Sequence, residues 1–508
     1  MAACSWKALA LAALLAAPAL AAPAAPGVKT AVRSWRQAHE AALLKDYIAF
    51  VAMPNVATNL ADVGRNADWL LGQLQARGFA TQLLRAAPGT PASVFGERKT
   101  RGAKRTILFY AHYDGQPVGQ AGWLDPPFQP TLRTAPPESA PITGTGPLNP
   151  DWRLHGRSTG DDKVSVQALL WALDALAASK MVPAVNIKII WEGEEENGSP
   201  HFAEIVKANK DLLAADLLIM GDGPMHQSGK QQINGGNRGI TSFVATVYGP
   251  ARPLHDGHYG NWVPSPTVMI ADLVMQLRDD DGHIKVPGLM DEVTPVTTAD
   301  KAALAALPPV EAQLQDELAL GRTISGQRLA DGYLAPTLNV RAIHGGDNSA
   351  NAANAIATDA WASFDYRLAP GQTLPFVQAK TEAWLTAQGW HIVRDTPDAA
   401  TRRAHPRVLK LVWDAGGAIA TKTPLDTPAA MAVAGAIGRS VGYDPIRLPI
   451  MGASSAFAEV VNTLAAPMVG VSIANADDNQ HARNENIRLG NLWDGIEIYA
   501  ALLADTRW

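Results

Sequence analysis

The sequence predicts an α/β fold, a mixed and mainly parallel sheet with helices on both faces, interrupted by an inserted α+β domain. Three observations carry this expectation. Between residues 106 and 222, apolar runs of strand length alternate with helical patterns, the signature of βαβ units. From about residue 239 the texture changes to alternating strands with helices between or after them, and from about residue 421 the first style resumes. One domain is therefore expected over 26–238 and 421–508, with the inserted one over 239–420.

At 508 residues the chain exceeds one ordinary core. Its formal net charge of -5 offers no basic surface to nucleic acid or anionic membranes, so neither partner is expected. The opening residues MAACSWKALALAALLAAPALAAPAAPG join Lys7 to a short Ala/Leu-rich run and small residues around Ala19 to Ala25. They read as a cleavable secretory signal over 1–25, which implies an exported protein, periplasmic or secreted. The run is shorter than the ~20 residues of a spanning helix, and no later stretch reads as one, so no stable membrane anchor is expected. Cys4, the only cysteine, lies in this leader. Any metal site of the mature chain must therefore use His, Asp and Glu.

The first strand of the alternating region, TILFYAH, ends at His112, with Asp114 two residues on. In extended geometry the two side chains leave on the same side. Residues 134–151, rich in Pro, Gly, Ser and Thr, read as a surface loop. Asp161 and Asp162 open an amphipathic helix over 162–178, whose Val166, Leu169, Leu170, Leu173 and Leu176 repeat at helical spacing. Helix capping alone accounts for these two acids equally well. The strand VNIKIIW is followed by Glu192, Glu194, Glu195 and Glu196, then by a turn and a helix near 202–213. A charge run is commonly a solvated face, yet acids crowded at the end of a buried strand repel unless cations compensate.

The run ADLLIMGD ends at Asp222. In the second texture, ITSFVATVYG and AWASFDYRLAP are strands, with helices around 264–277 and 374–388. A helix near 428–440, a loop at 451–453 and a strand in APMVGVSI complete the order, and His481 sits in the polar loop NADDNQHARNENI before the last helix. Acids and imidazoles thus recur after successive strands, as a site at one sheet edge requires.

The segments YAHYDGQP, HGRSTGDDK, WEGEEENGS, LIMGDGP, LHDGHYGN and DDNQHARNENI follow the order and spacing of the M20 zinc metallopeptidases. The chain resembles the carnosine dipeptidase and carboxypeptidase branch of that family over nearly all of its length after the leader. The resemblance implies a zinc-peptidase-type catalytic domain interrupted by a dimerisation, or lid, domain. It also implies two zinc ions per chain, for which cobalt or manganese can substitute. His112 and Asp222 would hold one, Glu196 and His481 the other, and Asp161 would bridge them. Glu195 matches the general base and Asp114 the residue that orients His112. His255 matches a histidine that reaches the neighbouring subunit's site, which implies a homodimer. Arg367 and Ser454 resemble groups that bind the substrate carboxylate, a task suited to the planar guanidinium fork.

The implied reaction is hydrolysis of the amide bond of a dipeptide or of a short peptide's C-terminal residue. A deacylase acting on N-acyl amino acids would use the same metals, and the motifs do not separate the two. A serine hydrolase would need a G-x-S-x-G elbow between strand and helix, and no convincing one is present. The sequence departs from the family at Gly156-Arg157-Ser158, where Gly-Arg-Gly is usual, at Val164 in place of Gly, and at Ala357 in place of Pro. A histidine common after the inserted domain is absent near Asp426 and Thr427. These departures leave the metal ligands complete and bear on substrate preference.

Overall fold

The computed structural model describes residues 27–508 apart from 120, 135–138, 144–145, 348, 350–351 and 456. The expected signal segment and Cys4 lie outside the described residues, as does part of the loop expected over 134–151.

The larger sheet has eight strands, in the spatial order Ala80–Leu84, Ser93–Arg98, Asn186–Glu192, Thr106–His112, Leu217–Met220, Met468–Gly470, Gln232–Asn234 and Ile446–Leu448. Thr106–His112 has parallel partners on both sides, with Ile107 opposite Ile187 and Leu217. Ser93–Arg98 and Ala80–Leu84 extend the sheet antiparallel at one edge. The sheet is therefore mixed, with a parallel centre.

Its central strand shows why helices cover both faces. Ile107 and Phe109 join one apolar cluster with Leu170 and Leu492, while Leu108 and Tyr110 join another with Phe202 and Phe457. A strand buried on both faces reads as a continuous apolar run, which is what TILFYAH is. The helix Lys163–Ala178 differs from its amphipathic expectation, because it is buried from Lys163 through Leu173. Val28–Val51 and Leu489–Asp505 pack against Lys163–Ala178 and against each other. The single helix expected near 202–213 is two, Phe202–Ala208 and Lys210–Leu213, divided at Asn209.

The second sheet runs Thr337–Gly345, Asp359–Leu368, Asn237–Tyr248, Val408–Trp413 and His391–Val393, antiparallel except for the last pair, and Met451–Ser454 joins it as a sixth strand parallel to the start of Asn237–Tyr248. Pro266–Leu277 and Leu374–Ala387 cover one face, where Phe243 and Phe364 meet Ile270, Leu273 and Val377. The chain passes between the sheets at Gly235 and Gly236. A Cβ on either would lie 2.3 and 2.0 Å from the carbonyl oxygens of Thr423 and Thr421, so the crossing strands touch backbone to backbone.

Residues 451–453, expected as a loop, are instead part of a strand, Met451–Ser454, alongside Asn237 and Arg238. Gly452 and Ala453 lack strand character in sequence, yet a Cβ on Gly452 would stand 2.8 Å from the Tyr333 ring. Close approach to that ring, and not a turn, is what the glycine serves.

Candidate active site

Three adjacent parallel strands deliver the site. His112 ends Thr106–His112, Asp222 follows Leu217–Met220, and the short turn of helix Glu195–Asn197 follows Asn186–Glu192. Asp161 stands just ahead of the helix Lys163–Ala178, and His481 arrives from the loop beyond Met468–Gly470. The carboxyl ends of parallel strands are where α/β sheets bind ligands.

His112 is fully buried. Its Nε2 lies 2.9 Å from Asp161 Oδ1 and 4.0 Å from Asp222 Oδ1, and its Nδ1 lies 3.4 Å from Asp114 Oδ1. The other Asp114 oxygen accepts the Glu196 backbone N–H at 2.9 Å, which ties the His112 strand to the Glu196 turn. His481 Nε2 lies 3.1 Å from Asp161 Oδ2 and 3.2 Å from Glu196 Oε2. The result is two groups of potential ligands, His112 with Asp161 and Asp222, and Asp161 with Glu196 and His481. Within each group the ligand atoms lie within 4.8 Å of one another, and Asp161 belongs to both.

The electrostatics of the cluster favour a bound cation. Burial and the Asp161 charge push Asp222 up to about 6 and Glu196 up to about 7. Burial also raises Glu195 well above the usual carboxylate range, with Asp222 and Glu196 adding to the shift. Burial opposes ionisation of Asp161, but the hydrogen bonds of His112 and His481 hold it below the usual range. His481 is held up to about 11 by its bonds to Asp161 and Glu196. Buried Asp222 Oδ1 has no hydrogen-bond partner among the described residues. Crowded carboxylates, an orphaned oxygen and imidazole neighbours suit divalent cations of zinc type.

The acidic run resolves into separate tasks. Glu192 accepts the Tyr110 hydroxyl at 2.8 Å, and burial pushes it up to about 8. Glu194 accepts the His201 backbone N–H at 2.9 Å and has the His201 ring 2.8 Å away. Glu196 Oε2 accepts from Gln116 at 2.7 Å. The Glu195 carboxylate makes no hydrogen bond among the described residues, and it lines a cavity of about 250 Å³ with Asp161, Asp222 and His481.

Arg367 and Ser454 are brought together, with Arg367 Nη1 donating to Ser454 Oγ at 3.0 Å. Arg367 Nε also donates to Asp365 at 3.3 Å, and Ser454 lines the same cavity as Glu195. His255 is not brought to this site. It is exposed, pairs with Ala355 in a two-residue ladder, and accepts the Gly257 N–H at 3.1 Å.

The profile of Peptidase family M20/M25/M40 matches residues 108–505. This chain belongs to the M20 family. It is accordingly a metal-dependent peptidase. The M20 chain is 26% identical over 424 residues to a Beta-Ala-His dipeptidase of Rattus norvegicus, covering 82% of this chain and 80% of the relative. It is 24% identical over 427 residues to a Cys-Gly metallodipeptidase of Schizosaccharomyces pombe, covering 80% and 81%. Its fold matches an M20 family metallo-carboxypeptidase from Sulfolobus solfataricus with a TM-score of 0.75 at 22% identity, over 91% of this chain and 99% of that one. The match to human carnosine dipeptidase 1 also has a TM-score of 0.75 at 22% identity, over 95% and 99%.

One further residue of the M20 site carries no distinguishing mark in the sequence. Glu485 is completely buried, and its carboxylate accepts from Arg157 Nη1 at 2.8 Å and from the backbone N–H groups of Ser158, Gly160 and Asp161 at 3.0 Å each. Four donors on one carboxylate fix the loop that presents Asp161. The available signal was its position four residues after His481, but a lone glutamate in a polar loop has no pattern to distinguish it. The same clamp explains the departure at Ser158. This residue has φ of 65°, where glycine is the natural occupant, and it is held there by Glu485 at its N–H and by Asn55 at its hydroxyl.

Proposed function

We propose that this M20 peptidase is an exported di-zinc enzyme that hydrolyses dipeptides or the C-terminal bond of short peptides. The observation that carries the reading is the sharing of Asp161 by two ligand groups beside the Glu195 carboxylate, which makes no hydrogen bond among the described residues and lines the same cavity. His112 and Asp222 would hold one zinc, Glu196 and His481 the other. Zinc, when bound, would acidify the attacking water and polarise the scissile carbonyl. Glu195 accepts the water's proton and delivers it to the leaving nitrogen. Asp114 orients His112, and Arg367 with Ser454 receives the substrate carboxylate. The Beta-Ala-His and Cys-Gly dipeptidase relatives and the leader-like residues 1–25 support dipeptide hydrolysis and export respectively.

A panel of dipeptides, tripeptides and N-acyl amino acids, assayed on protein whose zinc is measured by elemental analysis, tests this reading. Turnover of dipeptides with roughly two zincs per chain is expected from a bridged two-site centre. Turnover confined to N-acyl amino acids would make the protein a deacylase.

The exposed His255 belongs, in this reading, to an exchange between subunits. Residues 239–420 form the dimerisation domain, and His255 of the partner subunit stabilises the oxyanion at this chain's site. His255→Ala should cost on the order of 100- to 1,000-fold, as the loss of one oxyanion donor does. Mixing inactive His255→Ala and Glu195→Ala chains under subunit exchange should restore activity, because one site of each mixed dimer is intact. Demonstrated exchange without recovery would confine His255 to its own chain.

A further inference from the structure

A larger cavity, of about 370 Å³, adjoins the one at the metal ligands, and both are lined by Pro224, Met451, Ala453 and Gln480. They are two chambers of one cleft. The outer chamber has the volume of a small-molecule site and apolar walls that include Met225, Leu307, Val310 and Tyr333. Its two arginines differ in what they already hold. Arg328 donates to the Leu304 and Leu307 carbonyls at 3.0 Å and faces Glu311 at 3.7 Å.

Arg238 is buried and donates Nε to the Gly452 carbonyl at 3.0 Å and Nη1 to that of Ala335 at 3.3 Å. It has no ion pair among the described residues, and its Nη2 makes no hydrogen bond there. Burial, with the Arg367 guanidinium nearby, brings its pKa down to about 10. A buried cation without an anion is costly, and an anion entering the chamber would relieve that cost.

The sheet register says which part of a substrate would meet it. Ile240 lies opposite Arg367, and Arg238 lies two residues from Ile240 on the same strand, so the two arginines share a face one step apart. Ser454 is paired with Arg238 in the neighbouring ladder. An anion on Arg238 therefore sits beside the groups assigned to the substrate's terminal carboxylate. The Tyr333 ring, packed on Gly452 and 6.0 Å from the Arg238 guanidinium, walls the chamber at this point.

We propose that the outer chamber receives the side chain of the substrate's C-terminal residue and selects an acidic one, with Arg238 as the discriminating contact. This rests on the peptidase reading above. The test is kcat/KM for two dipeptides that share an N-terminal residue and end in Glu or Gln. The wild type should favour Glu by on the order of 10- to 100-fold, the selectivity a charged hydrogen bond supplies. Arg238→Met should bring the ratio close to one. Leu329→Glu, at the exposed rim of the chamber, should also lower the ratio through like-charge repulsion, and it does not disturb the buried guanidinium. A wild-type ratio near one, or a ratio unchanged in both variants, overturns the proposal while leaving the peptidase reading intact. Failure to hydrolyse any peptide overturns the peptidase reading and the chamber's role together.

Discussion

Stripping the metal with a chelator should abolish amide hydrolysis, and returning zinc should restore it. The carboxylates of the site differ in proton affinity, because burial and the Asp161 charge push Asp222 and Glu196 up, while hydrogen bonds to His112 and His481 hold Asp161 down against its burial. Such a set binds cations or takes up protons. The second option gives the metal-free protein a distinctive pH dependence. An acid whose folded pKa is raised binds more protons folded than unfolded, so stability falls as pH rises between the two values. For Asp222 and Glu196 that window runs from about 4 to about 7. His481 acts in the same direction above it, because its folded pKa of about 11 exceeds the ordinary 6.5. Thermal melts of the chelated protein should therefore decline from pH 4 towards neutrality, and bound zinc should reverse the decline. Full activity in thoroughly metal-free protein would end the metallopeptidase assignment of these residues.

Glu195→Gln should keep the metals and lose most turnover, by the ~100- to 10,000-fold that a general base contributes. The substitution removes a proton acceptor and leaves His112, Asp161, Glu196, Asp222 and His481 untouched. Glu194 is no substitute, since both of its oxygens are engaged by His201. Elemental analysis and kcat measured on the same preparation separate the two effects. Near-normal turnover with full metal content would move the base elsewhere, and loss of metal would make Glu195 part of the ligand set.

The parts of this fold legible in the sequence are those governed by period and burial. TILFYAH and ADLLIMGD announce central strands because burial on both faces leaves an uninterrupted apolar run. Their terminal His112 and Asp222 then fall at one sheet edge by geometry alone. What stayed hidden depends on contacts between segments distant in sequence. Glu485 gains its importance from backbone groups more than 300 residues earlier, and Gly452 from the ring of Tyr333. The roles of Glu192 and Glu194 were hidden for the same reason, since adjacent glutamates look alike until Tyr110 and His201 are found beside them.

The Glu485 clamp also orders events in time. It closes a loop spanning 324 residues onto Asp161, and His481 travels on the same late segment. In vectorial synthesis His112, Asp161 and Asp222 emerge long before the residues that steady one of them and complete the second group. The entropy of so long a closure must be offset by docking of the C-terminal helix Leu489–Asp505 against Lys163–Ala178. Completion of the ligand set is thus a late event in maturation, since a nascent chain that stops short of residue 481 lacks the histidine of the group formed by Asp161, Glu196 and His481.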